Sequence, residues 1–346
     1  MEPIRVLVTG AGSGVGQAIV KALRISSLPI SIISSDIGPL NAALFRTDKG
    51  LLLPKVEAQG ALDRIVGAIS RHKVDAVMVG SEFDLQFFSR HKQQIERETK
   101  ALVVASPPDT VSIADDKWLT TEFLRASGLP YAESHLPQSL EDAKTIGQKW
   151  GYPFVLKARR GTSSRHVHIL RDERDLERLF ETVPMPMLQR LISPPGHELT
   201  TEFTCSVFKC TDGSIIGPFT ARRTLRGGSS WLVEVDQFEF LFPLLLSIGR
   251  LLPIMGSFNV QLMVGDSGPV PFEFNSRFSG TTAVRAHFGF NEPEMVLRNY
   301  LLHEAIHQPV IRRGVALRYL EEVFIEGVAA DELDEPLPKG VVRPWF

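Results

Sequence analysis

The chain has 346 residues, 43% of them hydrophobic and 23% charged, which is enough for two or three compact units with ample core. A formal net charge of -2 gives no global field for nucleic acid, and two cysteines, Cys205 and Cys210, are too few for a zinc site and read as reduced thiols. The most apolar stretch, 238–255, is broken by Glu239, Pro243 and Arg250, short of the roughly 18 residues a membrane span needs, and the N-terminus leads straight into a strand, so a cytoplasmic globular enzyme is expected.

The first third of the chain alternates strand and helix. Residues 4–9 read as a buried strand, followed by a glycine loop (Gly10, Gly12, Gly14, Gly16), a helix to about Ser26 and a second strand over 30–34, with Asp36 just beyond. Helices over 61–71 and 83–99 and strands over 76–80 and 101–104 continue the pattern until Pro107-Pro108 stops it. This predicts a doubly wound, Rossmann-like α/β domain over 1–110. Its loop, Thr9-Gly10-x-x-x-Gly14-x-Gly16, is similar to that of short-chain NAD(P)-dependent dehydrogenases, and Asp36 sits where a ribose-binding acid belongs. Those enzymes need a Tyr-x-x-x-Lys pair, and none of Tyr131, Tyr152, Tyr300 and Tyr319 has a lysine four residues on.

Asp115-Asp-Lys117 opens a helix that Gly128 stops, and Ser139 caps another that ends at Gly151. A strand then delivers Lys157 to a loop of small and basic residues containing Thr162, Ser163, Ser164 and Arg165, and a second strand covers 166–170. Backbone N–H groups of such a loop can wrap a polyphosphate while the lysine supplies a point charge; an ordinary hairpin loop has the same look. After the break Ser193-Pro-Pro-Gly196, alternation puts Glu198, Thr200 and Glu202 on one strand face. Asp212-Gly213 is a hairpin turn, and the returning strand runs into Thr220-Ala-Arg-Arg-Thr-Leu-Arg226, whose guanidinium forks suit carboxylate or phosphate. A buried helix is expected over 240–252, another over 293–302, and a closing strand over 315–324.

Between those two helices lies the most informative stretch. At period two, Asn259 and Gln261 share one face while Phe258, Val260 and Leu262 share the other; in the next strand Glu273 and Asn275 oppose Phe272 and Phe274. A three-residue loop, Asp266-Ser-Gly268, would pair Gly265 with Pro269 and set Gln261 across from Glu273. Gln261, Glu273 and Asn275 then form a hard-oxygen cluster suited to magnesium, with Arg277 beyond it facing a phosphate.

Asn-Val-Gln followed by Glu-Phe-Asn-Ser-Arg resembles the metal hairpin of the ATP-grasp superfamily, in the variety found in the large subunit of carbamoyl phosphate synthetase. The resemblance implies a Rossmann-like pre-ATP-grasp domain, then a two-subdomain ATP-grasp fold of mixed α/β and α+β character, with the lid subdomain over 111–190 and the large subdomain over 191–346. It implies ATP and Mg2+ as cofactors, with Lys117 and Lys157 on the phosphates under the lid residues Thr162, Ser163 and Ser164. Gln189 and Leu191 would lie at the adenine and Glu198 at the ribose. Gln261, Glu273 and Asn275 would hold the metal, Arg277 would stabilise the transferred phosphoryl group, and Arg222 would act beside it. The implied reaction is ADP-forming activation of a small-molecule carboxylate for attack by an amine, without nucleic acid or membrane and with a homodimer open to it. Two other readings stand beside it: a nicotinamide dehydrogenase built on the glycine loop, and a nucleotide-binding regulator that keeps the fold without turnover.

Overall fold

The computed structural model describes residues 2–161, 166–192 and 202–341. Its first unit is a parallel sheet of β1 (Ile4–Thr9), β2 (Ile30–Asp36), β3 (Lys49–Leu52), β4 (Ala76–Val79) and β5 (Leu102–Val104), in the order β3-β2-β1-β4-β5. Helices α1 (Gly14–Arg24), α2 (Ala61–Arg71) and α3 (Glu82–Thr99) cover it. The strands are apolar on both faces because both are packed: Val6, Val8 and Met78 belong to one core, Leu7, Val77 and Val79 to another. Strand β3 has too little hydrophobic pattern to be read from the sequence.

Pro107-Pro108 does not end helical structure. Pro108 takes the first position of α4 (Pro108–Asp115), where its missing N–H costs nothing, and α5 (Lys117–Ala126) follows at once. Asp116, only 1% exposed, caps α5 through Trp118 N at 2.9 Å. Both helices pack on the large sheet, with Ala114 and Leu124 in the same core as Phe258 and Phe274.

The second sheet is formed by β6 (Ser134–His135), β7 (Phe154–Ala158), β8 (Val167–Leu170) and β9 (Pro186–Arg190), in the order β6-β9-β7-β8. Helices α6 (Leu140–Trp150) and α7 (Glu173–Leu179) bury Phe154, Leu156, Leu170 and Leu188 on one face. The other face carries Lys157 and Gln189.

The third sheet has β10 (Glu202–Lys209), β11 (Ile215–Phe219), β12 (Ala221–Arg226), β13 (Ser229–Val235), β14 (Gly256–Gly265), β15 (Gly268–Asn275) and β16 (Gly314–Leu317). Its path is β15-β14-β10-β12-β13-β16, with β11 also on β10. Helix α8 (Phe242–Leu251) covers Phe203, Cys205, Val207, Val260 and Leu262. Two further short helices, α9 (Thr282–His287) and α10 (Glu292–Val296), follow the β14–β15 hairpin, and α10 passes into a π-type turn over Leu297–Leu301. The closing strand is shorter than expected, Gly314–Leu317, since Phe324 instead makes an isolated bridge to Val341.

Candidate active site

The three units meet around a cleft of about 1100 Å³, lined from the first unit by Thr9, Asp36 and Glu82, from the second by Lys157 and Gln189, and from the third by Glu273 and Arg277. The hairpin is its floor. Gly265 pairs with Gly268 rather than Pro269, so the loop is two residues long, and a bulge between Leu262 and Gln261 restores the pairing of Gln261 with Glu273. The bulged residue is Phe272, and that corrects its expected position: it stands in the cleft beside Glu273, its ring 5.9 Å from Lys157 Nζ, while Phe274 stays in the core.

Gln261 and Asn275 each point an amide nitrogen at Glu273 Oε1, at 3.1 and 3.4 Å. The orientation of Gln261 is fixed chemically, because its Oε1 accepts from Arg223 Nη2 at 2.9 Å and a guanidinium only donates. As arranged, Gln261 therefore braces the carboxylate rather than offering it an oxygen partner for a metal. Asn275 has its nitrogen committed to Asn259 Oδ1 and Glu273, which leaves its oxygen. One carboxylate and one amide oxygen at the edge of a cleft fit magnesium, which keeps waters and completes its shell with phosphate. Among the described residues no group of three or more His, Cys, Asp and Glu side chains gathers as an all-protein metal cage.

Lys117 and Lys157 are 8% and 4% exposed. Lys117 Nζ donates to Gly161 O at 3.0 Å and Lys157 Nζ to Gln189 Oε1 at 2.9 Å, so neither has a carboxylate partner in these bonds. Burial, helped by the neighbouring Lys117 charge, pulls Lys157 down to about 7, with Glu273 opposing. Arg277 also lines the cleft, where it forms an ion pair with Glu82 from the first turn of α3, and burial lowers it to about 10. Gln189 and Leu191 lie on the cleft wall, although the Gln189 side chain is spent on Lys157 and on Ser134 Oγ at 3.0 Å. Thr162, Ser163, Ser164 and Glu198 lie outside the described residues.

Arg222 is not brought to the site. It stands across from core-facing Phe203, bonds Glu234 at 2.6 Å and stacks over Phe238. Its neighbour Arg223 takes the cleft position, held by Glu202 through Nε at 2.9 Å and reaching Gln261. Two adjacent arginines on a strand face opposite ways, and nothing apolar around them in the sequence says which faces in.

The glycine loop is braced by hydrogen bonds within its own unit. Gly12 N donates to Asp36 Oδ2 at 3.0 Å, Asn41 Nδ2 reaches the same oxygen at 2.6 Å, and Ser13 Oγ caps Gly16 N at 2.9 Å. A Cβ at Gly16 would stand 2.4 Å from Gly10 O, and one at Gly12 would stand 1.8 Å from the Asn41 amide nitrogen. Gly12 and Gly16 serve close packing, and Asp36 braces the loop while also lining the cleft.

Comparison with known proteins gives the class. The family described as "ATP-grasp domain" matches residues 114–281, and that described as "PylC-like, N-terminal domain" matches 6–103. Residues 114–281 are thus an ATP-grasp domain, preceded by a PylC-like N-terminal domain. Among curated proteins it is similar to the carbamoyl phosphate synthase large chains of Methanosarcina barkeri (25% identical over 191 residues, 51% of this chain and 17% of that one) and Archaeoglobus fulgidus (25% over 210 residues, 57% and 20%). It thus matches about a fifth of the length of those relatives. The fold is shared with the biotin carboxylase domain of Hydrogenobacter thermophilus 2-oxoglutarate carboxylase, solved with MgADP, ADP and bicarbonate (TM-score 0.73, 16% identity, 99% of this chain and 84% of that one). It is shared also with N5-carboxyaminoimidazole synthetase of Staphylococcus aureus, complexed with ADP (TM-score 0.71, 13% identity, 92% and 82%). Among the described residues no helix is long and apolar enough to cross a membrane.

Proposed function

We propose that this protein is an ADP-forming ligase that uses ATP to activate a small-molecule carboxylate as an acyl phosphate, which an amine then attacks. The observation that carries this is the convergence of Lys117, Lys157, Glu273, Asn275 and Arg277 on one cleft between three units. Lys117 and Lys157 hold the polyphosphate, and Gln189 and Leu191 lie along the adenine, with the ribose assigned to Glu198 and further phosphate contacts to Thr162, Ser163 and Ser164. Glu273 and Asn275 hold magnesium, braced by Gln261; when bound, the ion neutralises phosphate charge. Arg277 stabilises the γ-phosphoryl group as it passes from ATP to the carboxylate oxygen, leaving ADP, and the amine nitrogen then displaces phosphate from the acyl carbon. Positioning and neutralisation account for most of such catalysis, so the buried cations need no proton-transfer role. Two buried free thiols, Cys205 and Cys210, suit a cytoplasmic setting. A homodimer is compatible with this reading.

The test is a panel of carboxylates and amines assayed for ADP release with Mg2+. Release that depends on both a carboxylate and an amine supports the ligase. Tight Mg2+-dependent ATP binding with no ADP release from any pair points to the regulator.

A further inference from the structure

Among the described residues no strand pairs with the outer side of β16, which ends the path β15-β14-β10-β12-β13-β16. Its register on β13 sets Ala316 beside Val233 and Leu317 beside Leu232. Ala316 packs on the core with Val233, so Val315 and Leu317 turn to the opposite face, where they are 57% and 71% exposed. Tyr319, two residues on and also exposed, continues the apolar stripe. Arg318 turns the other way, lining the cleft with Nη2 on Gly280 O at 3.1 Å.

The backbone of this edge is directed outward as well. Arg318 N donates to Trp231 O at 2.9 Å, so in the alternating antiparallel ladder the N–H and C=O groups of Val315 and Leu317 face away from β13. Such an edge invites another strand, and Gly314-Val-Ala-Leu317 carries neither the charge nor the proline that commonly deters one. Arg312-Arg313 precedes the segment and Glu321-Glu322 follows it.

That order of charges complements its own reverse. Laid antiparallel to itself about Leu317, the segment sets Arg312 against Glu322, Arg313 against Glu321, Val315 against Tyr319 and Leu317 against Leu317. Moving the centre to Ala316 or to Arg318 leaves no arginine opposite a glutamate, so the charges select one register. Within one copy Arg313 is bonded to Asp236 at 2.8 Å and Glu321 to Arg46 at 2.9 Å, whereas Arg312 is held at a neutral group, the His287 carbonyl. Arg312 with Glu322 is therefore the better pair to test.

We infer that the partner of this edge is a second copy of the chain, joined β16 to β16 across a two-fold axis at Leu317, so that one sheet runs through both copies. The contact uses the same patch on each side and closes at two instead of growing into a fibre. It goes beyond the ligase reading and does not depend on it.

Sedimentation equilibrium across a range of protein concentrations tests the assembly. The wild type should be a reversible dimer. Leu317→Lys alters a solvent-facing side chain, brings like charges together on the axis and should give a monomer with the wild-type circular dichroism spectrum. Arg312→Glu and Glu322→Arg should each raise the dissociation constant about tenfold, since each sets two like-charged pairs across the axis. An equimolar mixture of those two variants should recover wild-type affinity, because both cross-pairs are then opposite in sign. A wild type that stays monomeric, a dimer that Leu317→Lys leaves intact, or assembly growing past two would overturn the inference. Two weakened variants whose mixture recovers nothing would overturn the register, and the inference with it. If either charge variant does not fold, Leu317→Lys alone decides.

Discussion

Glu273 is the one carboxylate at the centre of the hairpin cluster, and two amides and an arginine are arranged around it to keep it in place. Glu273→Gln keeps the shape and removes the charge, so turnover should fall roughly 100-fold or more while the circular dichroism spectrum is unchanged. Near-normal ADP release would remove the metal assignment. The two arginines of β12 make a matched pair: Arg223→Met should impair Mg2+-dependent activity, whereas Arg222→Met should leave it within about twofold and cost at most about 1 kcal/mol for a partly exposed ion pair. Equal losses in both would contradict the strand-face assignment. Lys157 gives a pH signature. Its folded value of about 7 lies below the ordinary 10.5, so between those pH values the unfolded chain binds more protons, and this group makes stability rise with pH across that window. The penalty is full below pH 7 and gone above 10.5. Polyphosphate beside the amine restores its proton, so ATP binding at pH 8 should take up a proton that Lys157→Met abolishes. Calorimetry in two buffers of different ionisation heat measures it; identical heats for the wild type would place Lys157 away from the phosphates.

At the scale of elements, the joint between α5 and the second sheet decides where Lys117 sits. Asp116 caps the helix, and the same carboxylate takes Arg159 in a forked pair, Nε at 3.1 Å and Nη2 at 2.6 Å, while Lys117 N bonds Arg159 O at 3.0 Å. Asp116→Ala loses the cap and strips a buried partner from Arg159, at a cost of roughly 2–4 kcal/mol in urea unfolding. It should also weaken nucleotide binding, since it frees the residue before Lys117. A variant with wild-type stability and affinity would show that the joint is held elsewhere. The hairpin makes a related point: its bulge brings Phe272 into the cleft beside Lys157, so register and turn length together choose which ring lines the cleft.

At the scale of the molecule, the cleft exists only because the first unit closes it, with Glu82 of α3 reaching Arg277 after β15. That unit looks like a dinucleotide-binding domain, and its loop is braced by Asp36, which Asn41 holds in turn. Thermal stabilisation should therefore be strong with Mg2+ and ATP or ADP, about 2.7 kcal/mol at 100 times the dissociation constant, and absent with NAD or NADP. The reverse ranking would return the site to the glycine loop.

Local signals were enough for the alternating strands and helices of the first unit apart from β3, the cap at Ser139, and the polar face of the hairpin, since each depends on neighbours a few residues apart. The pairing of Gln261 with Glu273 was legible too, although the turn and the bulge each differ from expectation by one residue and offset one another. What the sequence left open depends on partners far along the chain. The choice of Arg223 over Arg222 is made by pairing with β10, and the turning of the Gln261 oxygen by an arginine 38 residues away. The bracing of the glycine loop is decided by Asp36 and Asn41, and the burial that brings Lys157 to about 7 by sheets meeting across the cleft. Periodicity assigns a residue to a face; only packing decides what that face meets.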